Sequence, residues 1–343
     1  MAKTNSGRFF EDYAVGQVLT HAVPRTVSGG ERALYHMLYP ARHALYSSDE
    51  FARGCGLPAS PLDDLAAFHV VFGKTVPDVS LNAVANLGYG EGRFLKPVYP
   101  GDTLRSVSEV IGLKQNSNGK SGVVYVRTTG LNQRDEAVLE YVRWVMVRKR
   151  DLEAPAAETV IPELAKTVAA SDLLIPEGLD FTGYDFDLAG EPHRWGDYEV
   201  GEVIDHVDGV TIEESEHMQA TRLWQNTAKV HFDATFRPDG QRLIYGGHVI
   251  SMARTLSFNG LANAQMIVGL NAGAHANPCF SGDTVKAWTE VLDKAETAAP
   301  GVGAVRLRLV ATKDGSVGEL KGDDGKYLPG VLLDLDYWAL MPV

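Results

Sequence analysis

The sequence predicts an α+β protein made of two similar halves in tandem, each an antiparallel sheet wrapped around a buried central helix. Two observations support this prediction. The chain repeats itself, and each repeat has the same order of short strand, capped helix, apolar helix and long strands. A helix that is apolar on most faces needs cover on most sides, and a surrounding sheet provides it. The 343 residues suffice for about two domains of roughly 150 residues each.

The repeat is visible in two short segments of each half. Residues 12–21 (DYAVGQVLTH) match residues 197–206 (DYEVGEVIDH) at an offset of 185. Further on, residues 97–105 (PVYPGDTLR) match residues 278–286 (PCFSGDTVK) at an offset of 181. Because the matches keep their order and nearly their offset, we interpret the chain as a tandem duplication.

A segment rich in alanine, proline and glutamate separates the two repeats. Such a composition is typical of a connection between packed units. We therefore predict an N-terminal unit at 1–150, a crossing linker at 151–190 and a C-terminal unit at 191–343.

Each half is expected to begin with a short strand, at 15–20 and at 200–206. The following helix has the spacing of a capping box at its start, with Ser28 and Glu31 in the first half and Thr211 and Glu214 in the second.

Next come the apolar helices, predicted at 62–72 and 248–259, with Gly73 and Asn259-Gly260 as their C-terminal stops. Alternating apolar segments then predict about five antiparallel strands in each half, and Asn132–Asp135 has the composition of a hairpin turn. The clearest strands are 122–130, 137–149, 284–292, 304–312 and 330–340.

Charge and composition exclude several classes of protein. The 32 basic and 44 acidic residues give a net charge of −12, whereas a nucleic-acid partner calls for a basic face. No apolar run reaches the ~18 residues of a membrane span, and the start of the chain lacks the apolar core of a signal peptide. Cys55 and Cys279 cannot form a disulfide framework or a CxxC metal site. We expect a cytoplasmic protein without nucleic-acid or membrane partners.

The second half contains the richest cluster of candidate site residues, at 222–248. A histidine held beside a polar partner at a helix end can act as a general base near neutral pH, which points to His231 with Asn226. Gly246, Gly247 and His248 open the buried helix, where free backbone N–H groups can bind an oxyanion. The alternatives are a structural histidine and a glycine pair that only permits close packing. No HxH or HExxH pattern is present, so we assign no metal.

The first half lacks the same features at the matching positions. The offset of 185 pairs His231 with Tyr46 and Asn226 with Ala41, and the glycine-opened helix corresponds to a start at Asp63 and Asp64. Acidic residues there would repel an oxyanion. We therefore expect the first half to be catalytically silent and to contribute to the ligand tunnel.

Three segments together resemble the MaoC-like (type-2 enoyl-CoA hydratase) family of double hotdog proteins. They are the helix starts at 26–31 and 211–216, FLKPVYPGD at 94–102, and QNTAKVHFD at 225–233, which aligns with the family motif GDxNPxHxD. The resemblance covers most of both halves, and it implies a double hotdog fold and hydration of an enoyl-CoA.

The chain departs from the family motif, with Asn226 at the position of its aspartate, Ala228 at its asparagine and Lys229 at its proline. An amide cannot take up a proton but can orient water, so the resemblance implies His231 as the base and Asn226 as its helper. Asp233 is expected either to hold the imidazole tautomer or to point away with a structural role.

The oxyanion-binding N–H groups are expected near Gly247 and His248. Within the family, the duplicated layout and residues 39–78 imply a branched, carboxylated enoyl-CoA as substrate. The free carboxylate then needs a cationic partner.

Arg254 and Arg222 are the first candidates for that partner, with an internal salt bridge as the alternative role of Arg254. Arg93 and Lys96 beside a Pro-rich turn are candidates for substrate or CoA binding, or else part of a solvated strand edge.

The resemblance implies no cofactor beyond the CoA of the substrate, and it implies a homodimer. Two other functions are compatible with the sequence. One is an acyl-CoA thioesterase that uses the same helix terminus with a carboxylate to activate water. The other is an acyl-CoA-binding protein without catalytic activity.

Overall fold

In the first half, alternating apolar segments form strands and the apolar run between them forms a central helix. The computed structural model describes residues 3–343. The strands of this half are Val18–Thr26 (β1), Ala83–Phe94 (β2), Thr103–Gln115 (β3), Ser121–Leu131 (β4) and Ala137–Arg148 (β5). Its helices are Gly29–Leu38 (α1), Ala44–Ser47 (α2), Asp49–Gly54 (α3) and Asp64–Thr75 (α4), and a π-helical turn at Val76–Ser80 follows α4.

The second half repeats this order after a long connection. Its helices are Phe186–Ala189 (α5), Glu214–Leu223 (α6), Lys229–Phe232 (α7), Gly246–Leu256 (α8) and Phe258–Leu261 (α9). Its strands are Val203–Thr211 (β6), Ile267–His275 (β7), Thr284–Glu296 (β8), Val302–Thr312 (β9) and Val331–Pro342 (β10). Short 3-10 turns lie at Phe10–Asp12, Ala170–Asp172, Trp195–Asp197 and Ala234–Phe236.

The strands of both halves join in one antiparallel sheet of ten strands, in the order β1-β3-β4-β5-β2-β7-β10-β9-β8-β6. The second half thus repeats the order of the first in reverse. The matching strands β2 and β7 pair at the centre, with Tyr89 opposite Gly273 and Arg93 opposite Gly269. This central pairing gives the chain the pseudo-two-fold arrangement expected of a duplication, and it confirms the prediction of five strands in each half.

The two central helices lie against each other on one face of the sheet. All residues of α4 are buried, and most of α8 is too. His69 of α4 shares a hydrogen bond with Ser251 of α8, with 2.7 Å between Nε2 and Oγ. One large hydrophobic cluster contains apolar side chains of both helices and of the strands around them. The halves therefore share a core, and a cleft between them can be lined from both sides.

Several local predictions need correction. The capping box of α6 pairs Glu213 with Glu216, not Thr211 with Glu214, because β6 extends through Thr211. Helix α4 does not stop at Gly73 but runs to Thr75 and continues into the π-helical turn. The capping box of Ser28 and Glu31 is confirmed.

The connection between the halves packs onto the body of the protein. Val160 forms an isolated bridge with Leu113, and Leu179 and Phe181 are buried in a second hydrophobic cluster. No helix within residues 3–343 has the length and apolarity needed to cross a membrane.

Candidate active site

A cavity of about 300 Å³ lies between the two halves, and the predicted site residues Asn226, His231 and Gly246 line it. Both halves line it, with Phe72, Tyr89 and Arg143 from the first and Asn226, His231 and Gly246 from the second. Its volume is at the lower end of the range for small-molecule sites, about 300–1,000 Å³. The segment between α6 and α8 thus meets α4, β2 and β5 of the other half.

His231 lies on the short helix α7 and faces this cavity. Its Nδ1–H donates to the carbonyl oxygen of Leu243 at 2.7 Å, which leaves Nε2 as the unprotonated nitrogen. The Leu243 carbonyl is itself held in place, because the Leu243 N–H donates to Val230. Burial lowers the pKa of His231, and the hydrogen bond to Leu243 opposes that effect. The ring is therefore neutral near pH 7 and can accept a proton.

Asn226 lines the same cavity and is only 2% exposed. Its backbone N–H donates to Thr221, and its Oδ1 accepts a hydrogen bond from the Ala228 N–H at 3.4 Å. Asn226 lies in the turn between α6 and α7, so it does not share a helix with His231. Both residues line one cavity.

Helix α8 begins at the cavity wall without a side-chain cap. Within residues 3–343, the backbone N–H groups of Gly246 and Gly247 have no hydrogen-bond acceptor, as the first N–H groups of a helix require an outside partner. Both glycines are also required by packing. A Cβ on Gly246 would lie 2.4 Å from Cε1 of His275, and one on Gly247 would lie 2.6 Å from Cε1 of His69. The open helix start and the close packing are thus both present.

Two predicted contributions to the site are not supported by the geometry. The backbone N–H of His248 donates to Tyr245, and its imidazole Nδ1 lies 3.1 Å from the Tyr39 hydroxyl, so the free N–H groups are those of Gly246 and Gly247. Asp233 is exposed and accepts hydrogen bonds from the N–H and hydroxyl of Thr235. The Leu243 carbonyl holds the tautomer of His231, and Asp233 has the structural role that was its expected alternative.

The predicted cationic residues lie outside the cavity wall. Arg254 is buried, but its guanidinium donates to Ser257 and to the carbonyls of Ala264 and Gln265, and it contacts His43. This matches the alternative of an internal role, although carbonyls replace the expected carboxylate. Arg222 is exposed on α6.

Arg93 on β2 forms an ion pair with Glu140 on β5, and Lys96 forms one with Glu136 just beyond the ends of these strands. Both side chains are partly exposed, in agreement with the solvated alternative, but β2 is a central strand and not an edge of the sheet.

Sequence reasoning missed three residues that line the cavity. His275 at the end of β7 shares a hydrogen bond with the Tyr89 hydroxyl, and burial lowers its pKa to about 4. Arg143 on β5 and Asn86 on β2 are the other two. Each lies on a strand that carries other polar residues as well, so nothing in the local sequence marks it as part of a site.

The wall of the cavity has a positive balance of charge, unlike the chain as a whole. Lys229 and Arg143 contribute to it, and among the described residues no aspartate or glutamate does. An anionic ligand is therefore favoured there, despite the net charge of −12. Residues 3–343 also contain no group of three or more His, Cys, Asp or Glu side chains placed to hold a metal ion.

Comparison with known proteins finds the same family over nearly the whole chain. The sequence model of the family described as mesaconyl-CoA hydratase matches residues 1–318. A mesaconyl-CoA hydratase from Cereibacter sphaeroides is 80% identical over 341 residues, 99% of each chain. A beta-methylmalyl-CoA dehydratase from Chloroflexus aurantiacus is 57% identical over 349 residues, again 99% of each chain.

Solved structures show the same architecture. A MaoC domain protein dehydratase from Chloroflexus aurantiacus matches with a TM-score of 0.97 at 57% identity, over 100% of this chain and 99% of the other. A Mycobacterium tuberculosis protein with a double hotdog fold matches with a TM-score of 0.74 at 25% identity, over 98% of each chain. The predicted double hotdog fold is confirmed.

Proposed function

The chain belongs to the mesaconyl-CoA hydratase family, and from that premise we propose that it adds water reversibly to mesaconyl-CoA to give β-methylmalyl-CoA. It is a hydro-lyase of the MaoC-like type. One observation supports the catalytic assignment most directly. His231, with a free Nε2, and Gly246, with a free backbone N–H, line the same cavity. A base and an oxyanion-binding group at one site are what hydration of an enoyl thioester requires.

The addition divides into two proton transfers. Nε2 of His231 takes a proton from water as the water oxygen bonds to C3 of the substrate. The electrons of the double bond move toward the thioester, whose oxygen becomes an enolate bound by the N–H groups of Gly246 and Gly247. The imidazolium then returns the proton to C2, so that one water is added in total and His231 is regenerated.

Asn226 assists by orienting the attacking water. Its amide neither takes up nor releases a proton, so Asn226 itself stays neutral while His231 becomes protonated. General acid–base catalysis of this kind contributes about 10²–10⁴-fold, and one oxyanion donor about 10²–10³-fold.

The thioesterase alternative receives no support from the cavity. That function was expected to use a carboxylate to activate water, and the cavity wall formed by the described residues includes no aspartate or glutamate. The CoA group is part of the substrate, and the addition of water is neither an oxidation nor a reduction. The proposed reaction therefore uses no further cofactor.

We also propose a cytoplasmic homodimer. The exposed edges of the sheet are β1 and β6, and hotdog sheets associate through such surfaces. Light scattering should then give twice the chain mass of 37.2 kDa. A mass of one chain at micromolar concentration would contradict the dimer.

The function is tested by mixing the purified chain with mesaconyl-CoA. We expect the absorbance of the enoyl thioester to fall as β-methylmalyl-CoA forms, and to rise again from the product side. Assay of free thiol distinguishes the thioesterase. Release of CoA without a hydrated product, or binding without turnover, would contradict the proposal.

A further inference from the structure

The guanidinium of Arg143 is buried in the chain without an anionic partner. Its side chain is 0% exposed. Nη2 donates to the Thr75 hydroxyl at 2.7 Å, and the group lies 4.3 Å from the centre of the Phe72 ring. Nε and Nη1 have no hydrogen-bond acceptor among the described residues. Two of its donor atoms are therefore unused in the interior, where leaving a charged donor unpaired costs free energy.

Arg143 borders the cavity that contains His231, and a second unpaired polar side chain lines the same cavity. Both atoms of the Asn86 side-chain amide are buried and without a partner in residues 3–343, and Asn86 also lines the cavity. No aspartate or glutamate is among the described residues that line the cavity, and the residue opposite Arg143 on β2 is Tyr89. The structure thus contains the donors of an anion site but no protein anion to fill it.

We propose that Arg143, with the Asn86 amide, binds the free carboxylate of the substrate, an inference that rests on the proposed hydration of mesaconyl-CoA. The planar guanidinium suits a carboxylate because two parallel N–H···O bonds can form. Water adds to C3, the carbon that bears this carboxylate. Binding of the carboxylate at Arg143 would therefore determine that C3, and not C2, faces the base His231. Because Arg143 lines the cavity but has no exposed surface, binding of the carboxylate requires the cavity to widen beside it.

Arg254 provides a matched control, because it is the other buried arginine of the shared core. It is 4% exposed, and carbonyls and a hydroxyl of the protein accept its hydrogen bonds. Its donors are used by the fold, so its removal should affect all substrates alike. Arg143 and Arg254 therefore separate recognition of the substrate from maintenance of the core.

The test compares Arg143→Met and Arg254→Met on two substrates. Mesaconyl-CoA carries the carboxylate, and tiglyl-CoA has a methyl group in its place. For Arg143→Met we expect kcat/KM for mesaconyl-CoA to fall about 10²–10³-fold and that for tiglyl-CoA to change much less. For Arg254→Met the two values should fall by the same factor. Equal losses on both substrates in Arg143→Met would overturn the proposal.

A binding measurement covers the case in which Arg143→Met does not fold. Succinyl-CoA and butyryl-CoA differ in the same carboxylate and have no double bond, so they bind without reacting. The wild-type chain should bind succinyl-CoA more tightly than butyryl-CoA. Arg143→Lys keeps the positive charge but loses the two parallel N–H groups of the guanidinium, so it should reduce the ratio of the two affinities. Equal affinity of the wild type for both would overturn the carboxylate site. A wild type that fails to hydrate mesaconyl-CoA but still prefers succinyl-CoA would contradict the function and leave the site supported.

Discussion

The two central helices differ most at their first residues. Helix α4 begins beside Asp63, whose Oδ1 accepts a hydrogen bond from the Leu65 N–H at 2.9 Å, and Asp64 accepts one from the Ile267 N–H at 2.7 Å. Helix α8 begins with Gly246 and Gly247, whose N–H groups have no such acceptor in the described part of the chain. One helix start is capped by the carboxylate of Asp63, and the other is open to the cavity.

This difference shows how a duplicated unit can divide its tasks. The first half keeps the helix and the sheet but closes the anion-binding position, because a carboxylate occupies the place of an oxyanion. Burial, and to a lesser degree the neighbouring Asp63, raise the pKa of Asp64 to about 7. The second half leaves the position open and supplies His231 beside it, so proton transfer is expected in that half only.

The largest difference between the halves is expected from His231→Ala and its counterpart Tyr46→Phe. Loss of the base should lower kcat by about 10²–10⁴-fold, without removal of a large core side chain. Tyr46 donates to the buried Asp64 carboxylate, so Tyr46→Phe should lower the free energy of unfolding with little change in kcat. Steady-state kinetics and denaturant unfolding of both variants test this. Comparable losses of kcat would mean that the first half takes part in catalysis.

The next largest effect on kcat is expected from Gly246→Asp, which places a carboxylate at the start of α8, as Asp63 does at the start of α4. A carboxylate at the N–H groups should lower kcat by about 10²–10³-fold, because it competes with the enolate oxygen. Gly246→Ala is the control, since it introduces the contact with His275 but no charge. If the alanine variant loses as much activity as the aspartate variant, packing at His275 and not the open helix start explains the effect.

A smaller effect is expected from Asn226→Asp, which restores the acidic residue of the family motif. Because burial lowers the pKa of His231 below 6.5, the wild-type kcat/KM should rise with pH only below that value and then become flat. A carboxylate at position 226 stabilises the imidazolium, so the rise should move to higher pH by about one unit. A pH profile of kcat/KM measures this.

Asn226→Ala serves as the control for that profile. It should slow turnover more than it weakens binding, and it should leave the pH of the rise near that of the wild type. An unchanged profile in Asn226→Asp would show that residue 226 does not face the base.

The smallest difference between the halves is expected at two equivalent tyrosines, Tyr13 and Tyr198, which make the same kind of hydrogen bond in each half. The hydroxyl of Tyr13 donates to the backbone carbonyl of Val79 at 3.0 Å, and that of Tyr198 to the carbonyl of Gly260 at 2.8 Å. Tyr13→Phe and Tyr198→Phe should each lower the free energy of unfolding by about 1–3 kcal/mol, because a buried carbonyl loses its donor. Chemical denaturation measures this, and kcat should stay unchanged in both. A loss of activity in one variant alone would contradict the equivalence.

Much of the fold could be predicted from the sequence because the repeat and the hydrophobic pattern act over many residues. The offset between matching segments predicted two similar halves, and the apolar run at 62–72 predicted the buried helix α4. The predicted ends of helices and strands were wrong where local contacts determine them. Thr211 was assigned to a helix cap, but the β6 ladder with Thr284 holds it in a strand.

The part of the site whose residues lie close together in the sequence could be predicted. His231, Asn226 and Gly246 fall within 21 positions, and the structure brings them to one cavity. Arg143 and His275 could not be found in this way, because each comes from a strand and reaches the cavity only through the tertiary fold. Of the two roles that the sequence left open for Arg254, the structure supports the internal one. Its place on an apolar helix drew attention, but nearby carbonyls already accept its hydrogen bonds.

The pairing of β2 with β7 has a consequence for how the chain folds. Tyr89 and Gly273 are 184 positions apart, so the centre of the sheet closes only after most of the polypeptide has been synthesised. Contacts between such distant residues form slowly, because the entropy of closing the loop must be overcome first. Until then the first half exposes the β2 edge, and an unpaired edge can accept a strand from another molecule. Residues 1–150 expressed alone should therefore self-associate through β2, with a second copy taking the place of the missing half.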